Sequence, residues 1–68
     1  MITEIGIVAG EIWHYLDHRG EVSLLNLVKG IDKSRDTVLM SLGWLAREGH
    51  VVLKKTSDDY KVSLRKNE

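Results

Sequence analysis

The stretch "SLGWLAREGHVVLKK", Ser41 to Lys55, changes its periodicity at a single residue. Up to Gly49 the apolar side chains recur at three- and four-residue intervals, as one face of a helix requires. Beyond it Val51, Val52 and Leu53 run consecutively and give way to lysines, as a short strand does. A second β-patterned run, "YKVSL", follows after "SDD", so the two strands read as a hairpin. A helix that stops at a glycine and feeds directly into a hairpin leaves few architectures open to a chain of 68 residues. At that length there is room for one domain, spanning 1–68, whose core supplies only a few kcal/mol of net stability.

Upstream the pattern is helical. Ile5, Val8, Ala9, Ile12 and Leu16 fall on one face of a first helix expected from about Thr3 to His18, with Thr3 as its N-cap and Gly20 as its stop. Val22 reads as a short extended stub. Ser23 then caps a short second helix that turns Leu24, Leu27 and Val28 inward and is punctuated by Gly30. Asp32 is expected to cap a third helix, about Lys33 to Glu48, with Val38, Leu39, Leu42, Leu45 and Ala46 as its apolar stripe. Ile12, Leu16, Leu27, Val38, Leu42, Leu45 and Val62 are expected at the centre of the core. The fold class is α+β: three helices, a strand stub and a C-terminal two-stranded hairpin.

That order, carried by "GEVSLLNLVKGIDKSRDTVLMSLGWLAREGHV", resembles the winged helix-turn-helix. More narrowly, "AGEIWHYL" together with "LGWLAREG" is similar to a family of small, uncharacterised prokaryotic winged-helix proteins. The resemblance implies a fold and no particular activity, because folds and functions are separable.

Composition removes several classes. Without cysteine there are no disulfides and no thiolate metal sites. The apolar runs are too short to span a bilayer and the N-terminus lacks a signal-like segment, so a cytoplasmic protein is the default expectation. His14 and His18 stand four apart on an exposed helix face, but two ligands do not make a zinc site. No Ser/His/Asp grouping, paired acid cleft or glycine-rich phosphate loop is present, and so short a chain has little volume for a substrate pocket. The expectation is therefore a non-enzymatic domain with no cofactor, no metal, no membrane span and no small-molecule substrate.

The net charge is zero, yet unevenly spread. Met1 to Glu21 holds four carboxylates against Arg19, and His50 to Glu68 holds five cations against three carboxylates. Two readings follow. In the first, the chain is a DNA-binding regulator: the third helix enters the major groove, with Lys33, Arg35 and Arg47 on phosphates or a guanine edge and Thr37 and Ser41 hydrogen-bonding either. Lys54, Lys55, Lys61 and Arg65 steady the wing on phosphates. Asp36 and the acidic wing tip, Ser57-Asp58-Asp59, oppose this reading.

In the second reading the chain is a protein-interaction module or homodimer, using a Met40/Trp44 face or a Gly6/Gly10 face. Exposed methionine and tryptophan are enriched at protein interfaces. Gly6 and Gly10, one turn apart, each cost about 1 kcal/mol against alanine, which suggests close packing on the side that also carries Trp13. Trp44 lies outside the apolar stripe: it can pack within the fold, on the wing or beside the first helix, anchor a partner, or touch DNA directly.

Overall fold

The computed structural model describes residues 2–65. Helix α1 spans Ile2–Arg19, strand β1 Val22–Ser23, α2 Leu24–Gly30, α3 Arg35–Arg47, β2 Val51–Lys55 and β3 Tyr60–Leu64. The expected order is thus present. Helix α1 begins at Ile2, so Thr3 sits inside its first turn instead of capping it. It stops at Gly20, whose φ of 76° is open to glycine at no steric cost and lets its amide donate to the Leu16 carbonyl at 2.8 Å.

The start of α3 departs from the expectation. The cap is Ser34 and not Asp32. The Ser34 hydroxyl accepts the Thr37 amide at 3.2 Å and donates to the Thr37 hydroxyl at 2.9 Å, so the serine forms two local bonds at once. Ahead of it the Lys33 amide donates to the Ile31 carbonyl at 2.8 Å, a turn too tight for helix, which keeps Lys33 outside α3. At the other end, the Gly49 and His50 amides donate to the carbonyls of Ala46 and Leu45 at 3.1 and 2.9 Å. This paired closure needs a left-handed residue, and Gly49 supplies it with φ 80°.

The hairpin is not a free two-stranded wing. The stub β1 pairs antiparallel with β3, placing Val22 opposite Val62, and β3 pairs antiparallel with β2, placing Val62 opposite Leu53. The sheet order is β1-β3-β2. Val62 is therefore the middle of a row of three apolar side chains and is fully buried.

Helices α1 and α3 pack against each other over Val8, Ala9, Ile12 and Leu16 from one side and Val38, Leu42 and Leu45 from the other. Leu27, Ile31, Val51 and Val62 close the core. All seven residues expected at its centre are buried: Ile12, Leu16, Leu27, Val38, Leu42, Leu45 and Val62. Leu39 and Ala46, expected in the stripe of α3, are only half-buried.

Candidate nucleic-acid interface and an adjoining apolar groove

The rotation of α3 about its axis decides which side chains it offers to a partner. Its buried set is Thr37, Val38, Ser41, Leu42 and Leu45. At 100° per residue, that set is centred roughly 70° away from the stripe of Val38, Leu39, Leu42, Leu45 and Ala46 read in the sequence. Thr37 and Ser41, expected on the outward face, are 6% and 0% exposed and cannot reach a base or a phosphate. Thr37 is drawn in by its bonds to Ser34, and Ser41 is a small residue on the side of α3 turned into the core. The outward ridge is instead Asp36, Met40, Gly43 and Arg47, all exposed.

The candidate cations divide into two groups. The Lys33 ammonium lies 3.3 Å from the Glu11 carboxylate on α1, and that of Lys61 lies 3.8 Å from Glu21. Arg35, Arg47, Lys54, Lys55 and Arg65 are exposed and form no ion pair among the described residues. Their surroundings differ. Arg35 lines a hollow with Leu24, Leu25, Asp58 and Asp59, so the acidic wing tip stands beside it. Lys55 sits over the Tyr60 ring, 4.9 Å from its centre. Lys54 is directly opposite Lys61 across the β2–β3 ladder. Arg65 pairs its amide with the His50 carbonyl at 2.9 Å, beyond the end of α3 that carries Arg47.

Segment by segment the charge is polarised. From Arg35 to Arg65 there are six cations (Arg35, Arg47, Lys54, Lys55, Lys61, Arg65) and four carboxylates (Asp36, Glu48, Asp58, Asp59), a net +2. From Ile2 to Ser34 there are three cations (Arg19, Lys29, Lys33) and five carboxylates (Glu4, Glu11, Asp17, Glu21, Asp32), a net −2.

The wing tip is built by local bonds. The Thr56 amide donates to the Asp59 carbonyl at 2.8 Å, and the Asp59 amide donates to the Thr56 hydroxyl at 3.1 Å. On α1, the His18 ring nitrogen Nδ1 donates to the His14 carbonyl at 2.9 Å, which occupies one of its two ligating atoms.

Trp44 lies on the side of α3 that meets α1. It lines a shallow groove between α1 and α3 with Gly6, Ala9, Gly10, Trp13, Leu45 and His50. Both indoles remain substantially open, Trp13 at 39% and Trp44 at 48% exposure. Met40, one turn before Trp44, is also exposed but does not line this groove. The close packing expected at Gly6 and Gly10 is absent among the described residues: a Cβ added at either position meets none of them within 4 Å. The sequence does suggest the shared side of Gly6, Gly10 and Trp13. That His50 would join them depends on the tight closure at Gly49, which periodicity alone does not reveal.

Three helices with a hairpin folded against the last of them, and a solvent-facing ridge on that helix, define a winged helix-turn-helix domain. The chain belongs to the family described as "Winged helix-turn-helix domain (DUF2582)", whose model matches residues 1–64. It is 35% identical over 68 residues to the uncharacterized protein MJ1608 of Methanocaldococcus jannaschii, covering 96% of each chain. It is also similar to the solution NMR structure of protein BT2368 from Bacteroides thetaiotaomicron. That match has a TM-score of 0.80 and 27% identity and covers 91% of this chain and 76% of the other. Winged-helix domains commonly bind DNA. Among the described residues, no helix is long and apolar enough to cross a membrane.

Proposed function

We propose that this chain binds duplex DNA as a winged-helix module with a regulatory role, through phosphate contacts more than base readout. The observation that carries the reading is the set of five exposed cations without ion-pair partners among the described residues: Arg35, Arg47, Lys54, Lys55 and Arg65. They lie on α3, on β2 and just past the end of β3, in the part of the chain with net positive charge and the part that meets DNA in this fold class. Lys33 and Lys61 are secondary contributors, because each would first have to leave a carboxylate. That loss is small, since exposed ion pairs contribute at most about 1 kcal/mol. With Thr37 and Ser41 buried, the ridge of α3 has few groups that discriminate bases, so affinity outweighs specificity.

The reading is tested by fluorescence anisotropy of a labelled random-sequence duplex, titrated with the protein at low and at moderate salt. Binding is expected at low salt. The slope of log affinity against log salt should be about −4.5 for five phosphate contacts at −0.9 each, steepening to about −6 where Lys33 and Lys61 also engage. No binding at low salt, where phosphate contacts are strongest, would falsify the proposal.

A further inference from the structure

We propose that Asp36 makes duplex binding sequence-selective, by accepting a hydrogen bond from the N4 amino group of a cytosine in the major groove. The proposal rests on the DNA reading above and adds a base to it.

The rotation of α3 puts Asp36 forward. Thr37, Val38, Ser41, Leu42 and Leu45 fix the side of the helix turned into the core. At 100° per residue, Asp36 points within about 10° of the opposite direction. Of the other ridge residues, Gly43 has no side chain, and Met40 and Arg47 lean roughly 50° and 30° to one side. Asp36 also lies in the first turn of α3, and the N-terminal residues of a recognition helix are the ones that meet base edges. Arg47 is about 16 Å farther along the axis, a distance that suits it to the phosphates. Arg35, the other charged residue of the first turn, is turned roughly 90° aside and lines the hollow at the acidic wing tip.

The Asp36 carboxylate is uncommitted. It is exposed and forms no ion pair among the described residues. Leu39 and Met40, one turn on, carry no charge, and Lys33, one turn back, is held by Glu11. A negative charge so placed is repelled by phosphates, which is why it counts against DNA binding as such. A base that donates to it reverses the sign.

Only two bases present an amino group in the major groove, cytosine through N4 and adenine through N6. Adenine sets the N7 acceptor beside its amino group, guanine shows two acceptors, and thymine shows one acceptor and a methyl. An ionised carboxylate can only accept. Cytosine is therefore the one base that offers it a donor with no acceptor alongside. The same group attracts cytosine and repels the alternatives, so a single residue supplies both halves of the discrimination. With Thr37 and Ser41 buried, neither hydroxyl competes for the base.

A carboxylate in the first turn also suits the helix dipole. That role acts on stability and is the same for every DNA sequence, so sequence preference separates the two. The test is selection of duplexes from a randomised pool at low salt by the full chain and by Asp36→Asn and Asp36→Ala. Circular dichroism checks that both variants fold, and anisotropy titrations measure the selected duplexes and their single-pair changes. The wild type should enrich a C·G pair at one position, and replacing that pair should weaken binding roughly 5- to 150-fold, the range for one mismatched pair. Asp36→Asn should move the preference at that position to A·T, because a carboxamide offers an acceptor to N6 and a donor to N7. Asp36→Ala should lose the preference there and bind the unselected pool more tightly than the wild type. A wild type that binds the pool without preference overturns the proposal and leaves the DNA reading standing, and so does an Asp36→Asn protein that keeps the cytosine. Absence of any binding removes the DNA reading and this proposal together.

Discussion

The Asp59 carboxylate, at the turn between β2 and β3, accepts the backbone amide of Leu25 in the first turn of α2, at 3.4 Å. Ser23 already takes the Asn26 amide at 3.1 Å, so two of the four open amides at this helix start have side-chain acceptors. The negative charge also lies at the positive pole of α2, although a helix this short has only a small dipole. One of the two acidic residues at the wing tip therefore ties the wing to the helix-turn-helix. Asp58 has no such bond among the described residues.

The two aspartates should respond differently to substitution. Asp59→Ala is expected to lower stability by about 0.5–1 kcal/mol, the lower half of the range for a lost helix cap because the bond is long. Asp58→Asn should leave stability within about 0.5 kcal/mol and strengthen duplex binding by removing a charge that repels phosphate. Urea denaturation and anisotropy titration of both variants check this. Equal loss of stability at the two positions would contradict the tie.

Gly30 is a glycine that packing requires. A Cβ there would fall on the Tyr15 ring, with Cε1 and Cζ at 2.6 Å and the hydroxyl oxygen closer still. The ring also carries the Arg19 guanidinium, 4.6 Å from its centre. Gly30→Ala should therefore destabilise the domain by about 1–2 kcal/mol, despite the better helix propensity of alanine. In a Tyr15→Ala background the same change should be neutral or stabilising. A double-mutant cycle with no coupling between the positions would show that the ring moves aside at no cost.

Ser41 makes the opposite case. Its hydroxyl is fully buried and has no hydrogen-bond partner among the described residues. Leaving such a group unpaired costs about 1–3 kcal/mol, so Ser41→Ala is expected to raise the denaturation midpoint and leave duplex affinity unchanged. If affinity fell while stability held, Ser41 would reach DNA and the register of α3 described above would be wrong.

The exposed cations give a prediction about binding alone. Arg47→Ala and Lys54→Ala should each weaken duplex binding and reduce the salt slope by about 1, with stability within about 0.5 kcal/mol of wild type. Lys33→Ala should change the slope less, since Lys33 is engaged with Glu11 before DNA arrives. Titrations at several salt concentrations separate these outcomes.

The element order, the glycine stops at Gly20 and Gly49 and the seven central core residues were legible because each depends on local chemistry. A positive φ calls for glycine, and a helix face calls for apolar residues at fixed spacing. The rotation of α3 was not legible. Periodicity weights Leu39 and Ala46 as apolar and Thr37 and Ser41 as polar. In the structure, the Ser34 cap and the approach of α1 bury the two hydroxyl residues instead. Asp32 and Ser34 are equally good caps on paper, and only the tight turn at Lys33 decides between them. The long-range pairings, Lys33 with Glu11, Lys61 with Glu21 and Asp59 with Leu25, have no local signature, so the candidate site was the least readable part.

Two leucines three residues apart test that rotation directly. Leu42 is 4% exposed and faces α1, whereas Leu39 is half-buried on the flank of α3. The stripe read from the sequence treats them as equals. With the observed register, Leu42→Ala removes a buried side chain and leaves a cavity, at a cost of about 2–5 kcal/mol. That is enough to unfold much of the population in a domain whose total stability is of similar size. Leu39→Ala loses only the covered part of its side chain, about 1 kcal/mol on the same scale of apolar burial. Thermal denaturation of the two variants side by side should therefore show a large drop for Leu42→Ala and a small one for Leu39→Ala. Equal drops would restore the symmetric stripe and return Thr37 and Ser41 to the surface of α3.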